Sequence, residues 1–276
     1  MARLALFQPD ARSGARLSSA LGGVHDLVAC ESWDGLLDVL SSGDVEGCLL
    51  DADHPSVEEA IPRIERLRDA YPDIALIGFT ERDTPLEYYR LGTAGLEGFV
   101  AGTAGAMTTR GAVDEALALR RGRIVARALE GYLDPPAPAA VGWAVSHGTS
   151  DVTVEELAGA VDLSIDTLRD TLRSRDLPPP AALILWGRLV AAAARLQYDR
   201  RGVEETAFAL GYASAPSLAR ASRTHTRSTP RELAKRGPER VLEELVAQVT
   251  GARFRGDLGP AVASGEHQPP GEPTHE

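Results

Sequence analysis

Five short and nearly uninterrupted apolar runs punctuate roughly the first 105 residues: Leu4–Phe7, Leu27–Cys30, Gly47–Leu50, Ile74–Phe79 and Gly98–Val100. Between them lie longer segments that mix polar and apolar positions, such as Val57–Ala70. An apolar run too short for a buried helix, alternating with helix-length amphipathic stretches, reads as a strand covered on both faces, because parallel strands need helical crossovers. The pattern therefore predicts an α/β, doubly wound, parallel five-stranded sheet. A further helix is predicted over Ala112–Tyr132, where Ala112, Ala116, Leu119, Ile124 and Leu129 allow one apolar stripe. Asp134-Pro-Pro-Ala-Pro-Ala follows. Consecutive prolines lack N–H donors and bias their predecessors to extended backbone, so residues 134–150 are expected to form a Pro-rich linker.

Beyond it the pattern changes to helix alone, from Thr153 to about Thr250. Thr153 and Glu156 have the Ser/Thr-x-x-Glu spacing whose side chains satisfy each other's free amides, so a helix starts there. Ala158 is small enough for a close crossing, Asp162 tolerates a left-handed turn, and Ser164 can cap a second helix over Ile165–Arg175, with Leu163 and Leu168 at staple positions. The same plan recurs downstream: Ala207 takes the small position, Gly211 the turn, Ser214 the cap, and Pro216 falls in the first turn, where a missing N–H matters little. Thr229-Pro-Arg-Glu232 is a second capping box and starts a final helix. Two bihelical units with short turns have the plan that places a recognition helix in a major groove. Between them Pro180–Asp199 reads as one helix, burying Leu185, Trp186, Leu189, Val190, Ala193 and Leu196, with Arg188 and Arg195 off that side. At ~1.5 Å per residue it spans roughly 30 Å, close to the ~34 Å turn of B-DNA, so it can hold two recognition helices in successive grooves.

Length fits two domains in 276 residues. The expected division is an α/β domain with its closing helix over 1–133, the linker over 134–150, an all-α domain over 151–250 and a disordered Pro/Gly/Glu-rich tail over 251–276. The net charge of −11 argues against a nucleic-acid partner until it is mapped. Met1–His147 holds 13 basic and 22 acidic residues, whereas Gly148–Arg240 holds 14 and 12. Within the latter, Arg220, Arg223, Arg227, Arg231, Lys235, Arg236 and Arg240 face only Glu232 and Glu239. The acid thus lies away from the double bihelical part. No run of eighteen apolar residues could cross a bilayer, and the amino terminus lacks a small-residue cleavage site, so a cytoplasmic protein without membrane contact is expected. Cys30 and Cys48 sit inside predicted strands and read as buried reduced thiols.

Over roughly Thr153–Lys235 the sequence resembles the AraC/XylS family of transcription regulators. The resemblance is carried by Glu156-Leu-Ala and Leu163-Ser, by Arg188-Leu and Ala192, and by Ala207-Phe-Ala-Leu-Gly-Tyr, Arg220 and Thr229-Pro-Arg-Glu-Leu. Leu172 and Ser222 stand where that family usually has Phe, and Leu177 and Arg227 where it usually has Gly. The resemblance implies double-stranded DNA as partner, with base-reading positions at Asp166, Arg169 and Asp170 in the first unit and Ala215, Ser217 and Arg220 in the second. The DNA-contact set expected is Ser164, Thr167, Arg169, Arg173, Ser214, Ser217, Arg220 and Arg223. Arg169 and Arg173 can equally pair with Asp166 and Asp170 on an exposed face. Aspartates face phosphate-rich DNA unfavourably unless one accepts from a cytosine amine, so the second unit is expected to supply most affinity.

The amino-terminal pattern resembles a response-regulator receiver, with Asp51 ending the third strand and Thr80 the fourth. A working receiver needs an acidic pair after the first strand for Mg²⁺, an Asp after the third and a Lys after the fifth. Here the acidic pair falls at Gln8-Pro9, with only Asp10 beyond, and the Lys position is Gly102. Asp51 remains a low-ranking phosphoacceptor, His54 lacks a second His at ligand spacing, and no phosphate-cradling or nucleophile-elbow motif occurs. Neither a metal, a cofactor nor catalysis is expected. These readings give a dimeric, phosphorylation-independent transcription regulator, with RNA polymerase or another regulator as a further partner. The rival is a protein-interaction adaptor whose helix-turn-helix fold no longer binds DNA.

Overall fold

The structure is a computed structural model describing residues 1–8, 10–54, 56–81, 84–148, 152–198 and 202–251. Five parallel strands, β1 (Arg3–Phe7), β2 (Asp26–Cys30), β3 (Gly47–Asp51), β4 (Ala75–Thr80) and β5 (Gly98–Ala101), line up in the order β2-β1-β3-β4-β5. The crossovers are α1 (Ala11–Leu21), α2 (Trp33–Ser41), α3 (Val57–Ala70) and α4 (Pro85–Thr93). Each predicted strand lies within a residue of its observed bounds. The reason is burial on both faces: β4 is buried along its whole length, and β1 and β3 at four of five positions. One apolar layer gathers Phe7, Leu50, Ile64 and Leu76, the other Leu4, Leu17, Ile77 and Phe79. The order, with β1 between β2 and β3, is that of a flavodoxin-like sheet and puts the strand ends of β1 and β3 side by side at its switch point.

Helix α5 (Ala106–Glu130) joins the two halves. Its first part sets Val113, Ala116 and Leu117 on the sheet, and its last part sets Val125 and Leu129 into the core of the helical half. The segment expected as a linker is instead helix α6 (Ala137–Ser146), with Ala137, Ala140, Val141, Ala144 and Val145 buried. The prolines misled because they lie at the helix start: Pro136 is the N-cap and Pro138 sits in the first turn, where no N–H is used. The rest of that helix is small and apolar, so it wedges between neighbours. Residues 149–150 of the expected linker, and 252–276 of the expected tail, lie outside the described residues.

The helical half continues through α7 (Val154–Ala160), α8 (Ile165–Arg173), α9 (Pro180–Tyr198), α10 (Val203–Ala209), α11 (Ala215–Thr226) and α12 (Pro230–Val249), the last kinked at Gly237. Trp186, predicted as core, is 1 % exposed, whereas Leu185 is only half-buried. Both cysteines are free and buried. No helix of the described residues is long and apolar enough to cross a membrane.

A second contact ties the halves together. Tyr198, at the end of α9, is 4 % exposed and packs with the apolar layer of the α/β half. Its ring centroid is 5.9 Å from that of His25, which precedes β2. The His25 side chain is fully buried and neither ring nitrogen has a hydrogen-bond partner. Burial, helped by the positive charges of Arg121, the amino terminus and Arg110, lowers its pKa to about 4, outweighing Asp114 at 3.9 Å. The unfolded chain takes up this proton near pH ~6.5, the folded one only far below. His25 thus contributes stability that is complete above pH ~6.5 and lost as pH falls toward the folded value. Between those limits the loss is expected to be roughly 3 kcal/mol. Urea denaturation from pH 7.5 to 4.5 should show this slope in the wild type and a flatter one in His25→Phe; equal slopes would refute it.

Candidate nucleic-acid interface

Each reading unit is built from the same local devices. In the first, Thr153 and Glu156 close a full capping box at the start of α7, Asp162 takes the left-handed turn at φ 55°, and Leu163 N donates to Ala158 O at 3.0 Å. Ser164 then caps α8 by accepting from Thr167 N at 3.1 Å. In the second, Gly211 takes the turn at φ 73°, Tyr212 N donates to Ala207 O at 2.9 Å, and Ser214 caps α11 by accepting from Ser217 N at 3.4 Å. The second turn is one residue longer between its left-handed position and its cap. Both units seat Leu168 or Leu218 in one continuous core, and α7, α8, α10 and α11 all pack on α9. That shared helix has 19 residues, about 28 Å at the usual rise.

The expected DNA-contact residues fall into three kinds. Ser164, Thr167, Ser214 and Ser217 sit at the starts of the two recognition helices, where free N–H groups and the helix dipole favour a phosphate. Their hydroxyls already pair, Ser164 with Thr167 at 2.7 Å and Ser214 with Ser217 at 3.1 Å. Arg169 and Arg173 are exposed but answered within their own helix, by Asp166 at 3.2 Å and Asp170 at 2.7 Å. Arg220 and Arg223 are exposed and make no ion pair among the described residues. The first recognition helix therefore offers little net positive charge, and the second offers two guanidinium groups outside any ion pair, Arg223 lying within electrostatic reach of Glu232.

Sequence counting overstated the basic patch. Arg236 is held by Glu244 at 2.7 Å and donates to Ser228 Oγ at 2.7 Å, and Arg240 by Glu243 at 2.7 Å. The Arg236 pair spans the kink at Gly237, whereas Arg240 and Glu243 are neighbours one turn apart on the helix after it. Arg227, Arg231 and Lys235 are also exposed at the end of α11 and the start of α12, together with Glu232. Arg227 ends α11 in the left-handed region at φ 51°, where a side chain costs about 1 kcal/mol relative to Gly. Besides Asp162, the remaining non-glycine left-handed position among the described residues is Asp176 at φ 54°, one residue before Leu177. Buried Ser222 fills a place expected for Phe by donating to Ser228 O at 2.6 Å.

Residues 157–236 match the family model of a helix-turn-helix domain. The match runs from within α7 to the start of α12 and covers the turns of both units. No curated protein matches the chain in sequence. Solved structures with similar folds include a response regulator from Thermotoga maritima (12 % identity, TM-score 0.40), covering 42 % of this chain and 98 % of that one. RcsB from Salmonella enterica serovar Typhimurium, bound to promoter rprA, is 15 % identical with a TM-score of 0.37, covering 66 % and 97 % of the two chains. FixJ from B. japonicum is 11 % identical with a TM-score of 0.36, covering 83 % and 98 %.

Asp51 and Asp53 form an acidic cluster at the end of β3, beside the end of β4. Asp51 accepts from Gln8 Nε2 at 3.2 Å and from Asp53 N at 2.9 Å, while Asp53 accepts from Thr80 Oγ1 at 3.0 Å and Glu81 N at 2.8 Å. Burial pushes the Asp51 carboxyl above its ordinary range. Asp10 is occupied as the cap of α1, accepting from Ser13 N at 2.7 Å. A Cβ at Gly102 would meet Glu81 Cα at 2.9 Å, so a lysine cannot enter there without moving backbone. Pro9 lies outside the described residues. His54 packs its ring edge on Phe7, and among the described residues no three His, Cys, Asp or Glu side chains gather to hold a metal.

Proposed function

We propose that this protein is a sequence-specific, DNA-binding transcription regulator of the cytoplasm, working without phosphorylation and without catalysis of its own. The observation that carries the reading is one helix, α9, packed against both helix-turn-helix units while Arg220 and Arg223 stand exposed on the second recognition helix. Phosphate contacts by such arginines fix register, and contacts to guanine edges in the major groove supply specificity. Independence from phosphorylation is supported by Gln8 and Gly102 at positions where phosphoryl chemistry needs a metal-binding acid and a lysine. In domain terms, residues 1–133 form the α/β module and 151–250 the reading module, with α6 packed as a wedge between them.

Self-association is part of the proposal. Leu86 and Tyr89 on α4 and Met107 at the start of α5 are 67, 70 and 64 % exposed, an apolar edge suited to a second copy. Neutralised Arg169 and Arg173 favour the second reading, an adaptor that docks on another regulator or polymerase through α8. One experiment separates them: retention of genomic fragments in a gel shift across 50–200 mM salt, with and without acetyl phosphate. The regulator reading expects selected fragments, affinity that falls steeply with salt, and no response to acetyl phosphate or to Asp51→Ala. Retention indifferent to sequence and salt supports the adaptor instead.

A further inference from the structure

Where α5, α6 and α9 meet, the two halves of the molecule enclose a cavity of about 350 Å³, within the range of small-molecule sites. Its walls are apolar, from Ala118 and Leu119 on α5, Val190, Ala191 and Ala194 on α9, and Leu210 directly after α10. Arg121 also lines it, with a side chain only 5 % exposed. Its Nε and Nη2 are buried and make no hydrogen bond. The nearest carboxylate, Glu239, stands 3.7 Å from Nε and already accepts from Tyr198 Oη at 3.1 Å. Its charge is met by Glu239 and by the Tyr198 ring, whose centroid lies 5.7 Å from Cζ, but two of its nitrogens lack a hydrogen-bond acceptor, and a planar carboxylate matches such a fork. Arg195, half-buried on α9, adds a second positive charge to the lining and has no ion pair among the described residues.

We propose that this cavity binds a small apolar monocarboxylate, its carboxylate drawn to Arg121 and Arg195 and its hydrocarbon body held by the α5 and α9 walls. Asp114 and Glu115 line the same cavity one to two helical turns before Arg121 and disfavour a second negative charge on the ligand. The occupant therefore carries one carboxylate and an apolar remainder. It touches the α/β half through α5 and the second reading unit through Leu210, so binding bears on how that unit is held. The binding site itself stands apart from the DNA reading, because its test needs no DNA.

Isothermal titration of the full chain with octanoate, phenylacetate, phenylacetamide and adipate tests the assignment. Saturable binding of at least one of the two monocarboxylates is expected, with the uncharged amide and the dicarboxylate at least tenfold weaker. Ala191→Trp fills the cavity and should weaken that binding at least tenfold, while Arg121→Gln should erase the preference for acid over amide. Because Arg121→Gln replaces a buried group, Ala191→Trp with an unchanged far-ultraviolet spectrum serves as the independent arm. No saturable binding of either monocarboxylate, equal binding of acid and amide, or undiminished binding by folded Ala191→Trp overturns the proposal.

Discussion

Replacing Gly187 by alanine is expected to destabilise the helical half by about 3 kcal/mol, the upper end for overpacking, although the same change on an exposed helix would stabilise it. Gly187 lies on α9 where α6 crosses, and a Cβ built there falls far inside van der Waals contact with the Ala144 carbonyl and meets Gly148 Cα at 3.4 Å. The obstruction is backbone, so no side-chain rotation relieves it and α6 must move off α9. A matching approach at Gly122 and Gly142 holds α5 against α6 on the other side, which leaves α6 no slack. The internal control is Gly159→Ala on α7, where nothing lies within 4 Å and the expected change is neutral to stabilising. Urea denaturation followed by circular dichroism measures both; a Gly187→Ala midpoint at or above wild type would show that the crossing is looser than described. Since α9 also carries both reading units, loss of DNA retention should accompany the loss of stability.

Much of this arrangement was legible in the chain, and the rest was hidden for identifiable reasons. Strands such as Ala75–Thr80 declare themselves because burial on both faces demands an unbroken apolar run. The turns of the reading units were equally plain, since Asp162, Gly211, Ser164 and Ser214 are chosen by backbone conformation and cap geometry, both of them local. Helix α6 was missed because Pro135, Pro136 and Pro138 look like a break, while the evidence for helix lies in the small apolar residues after them. Which arginines remain free could not be read at all from local sequence at Arg236, whose partner Glu244 is brought back only by the kink at Gly237. The cavity was invisible for a stronger form of the same reason: Arg121, Tyr198 and Leu210 come from three separate parts of the chain and meet only when α9 docks on α5.

Arg220→Ala and Arg223→Ala are each expected to weaken retention of a specific DNA fragment by about 10- to 100-fold, the usual range for a lost base or phosphate contact. The two should differ in kind. A base contact relaxes discrimination at one position of the site, whereas a phosphate contact weakens all sequences alike and lowers the salt slope by about 1. Arg220 stands one turn into α11, on the helix whose start is fixed by the Ser214 cap, and is assigned the base-reading role; Arg223, a turn further on, the phosphate role. Arg169→Ala provides the contrast. Its guanidinium is shared with Asp166 at 3.2 Å, so removing it takes away an internally balanced pair rather than a free charge, and less than about threefold loss is expected. Fluorescence anisotropy against a selected fragment and single-base variants of it, at several salt concentrations, resolves all three. If Arg169→Ala instead costs as much as Arg220→Ala, the first unit opens its Asp166 pair on binding and reads DNA as strongly as the second, and the asymmetry argued between the two units fails.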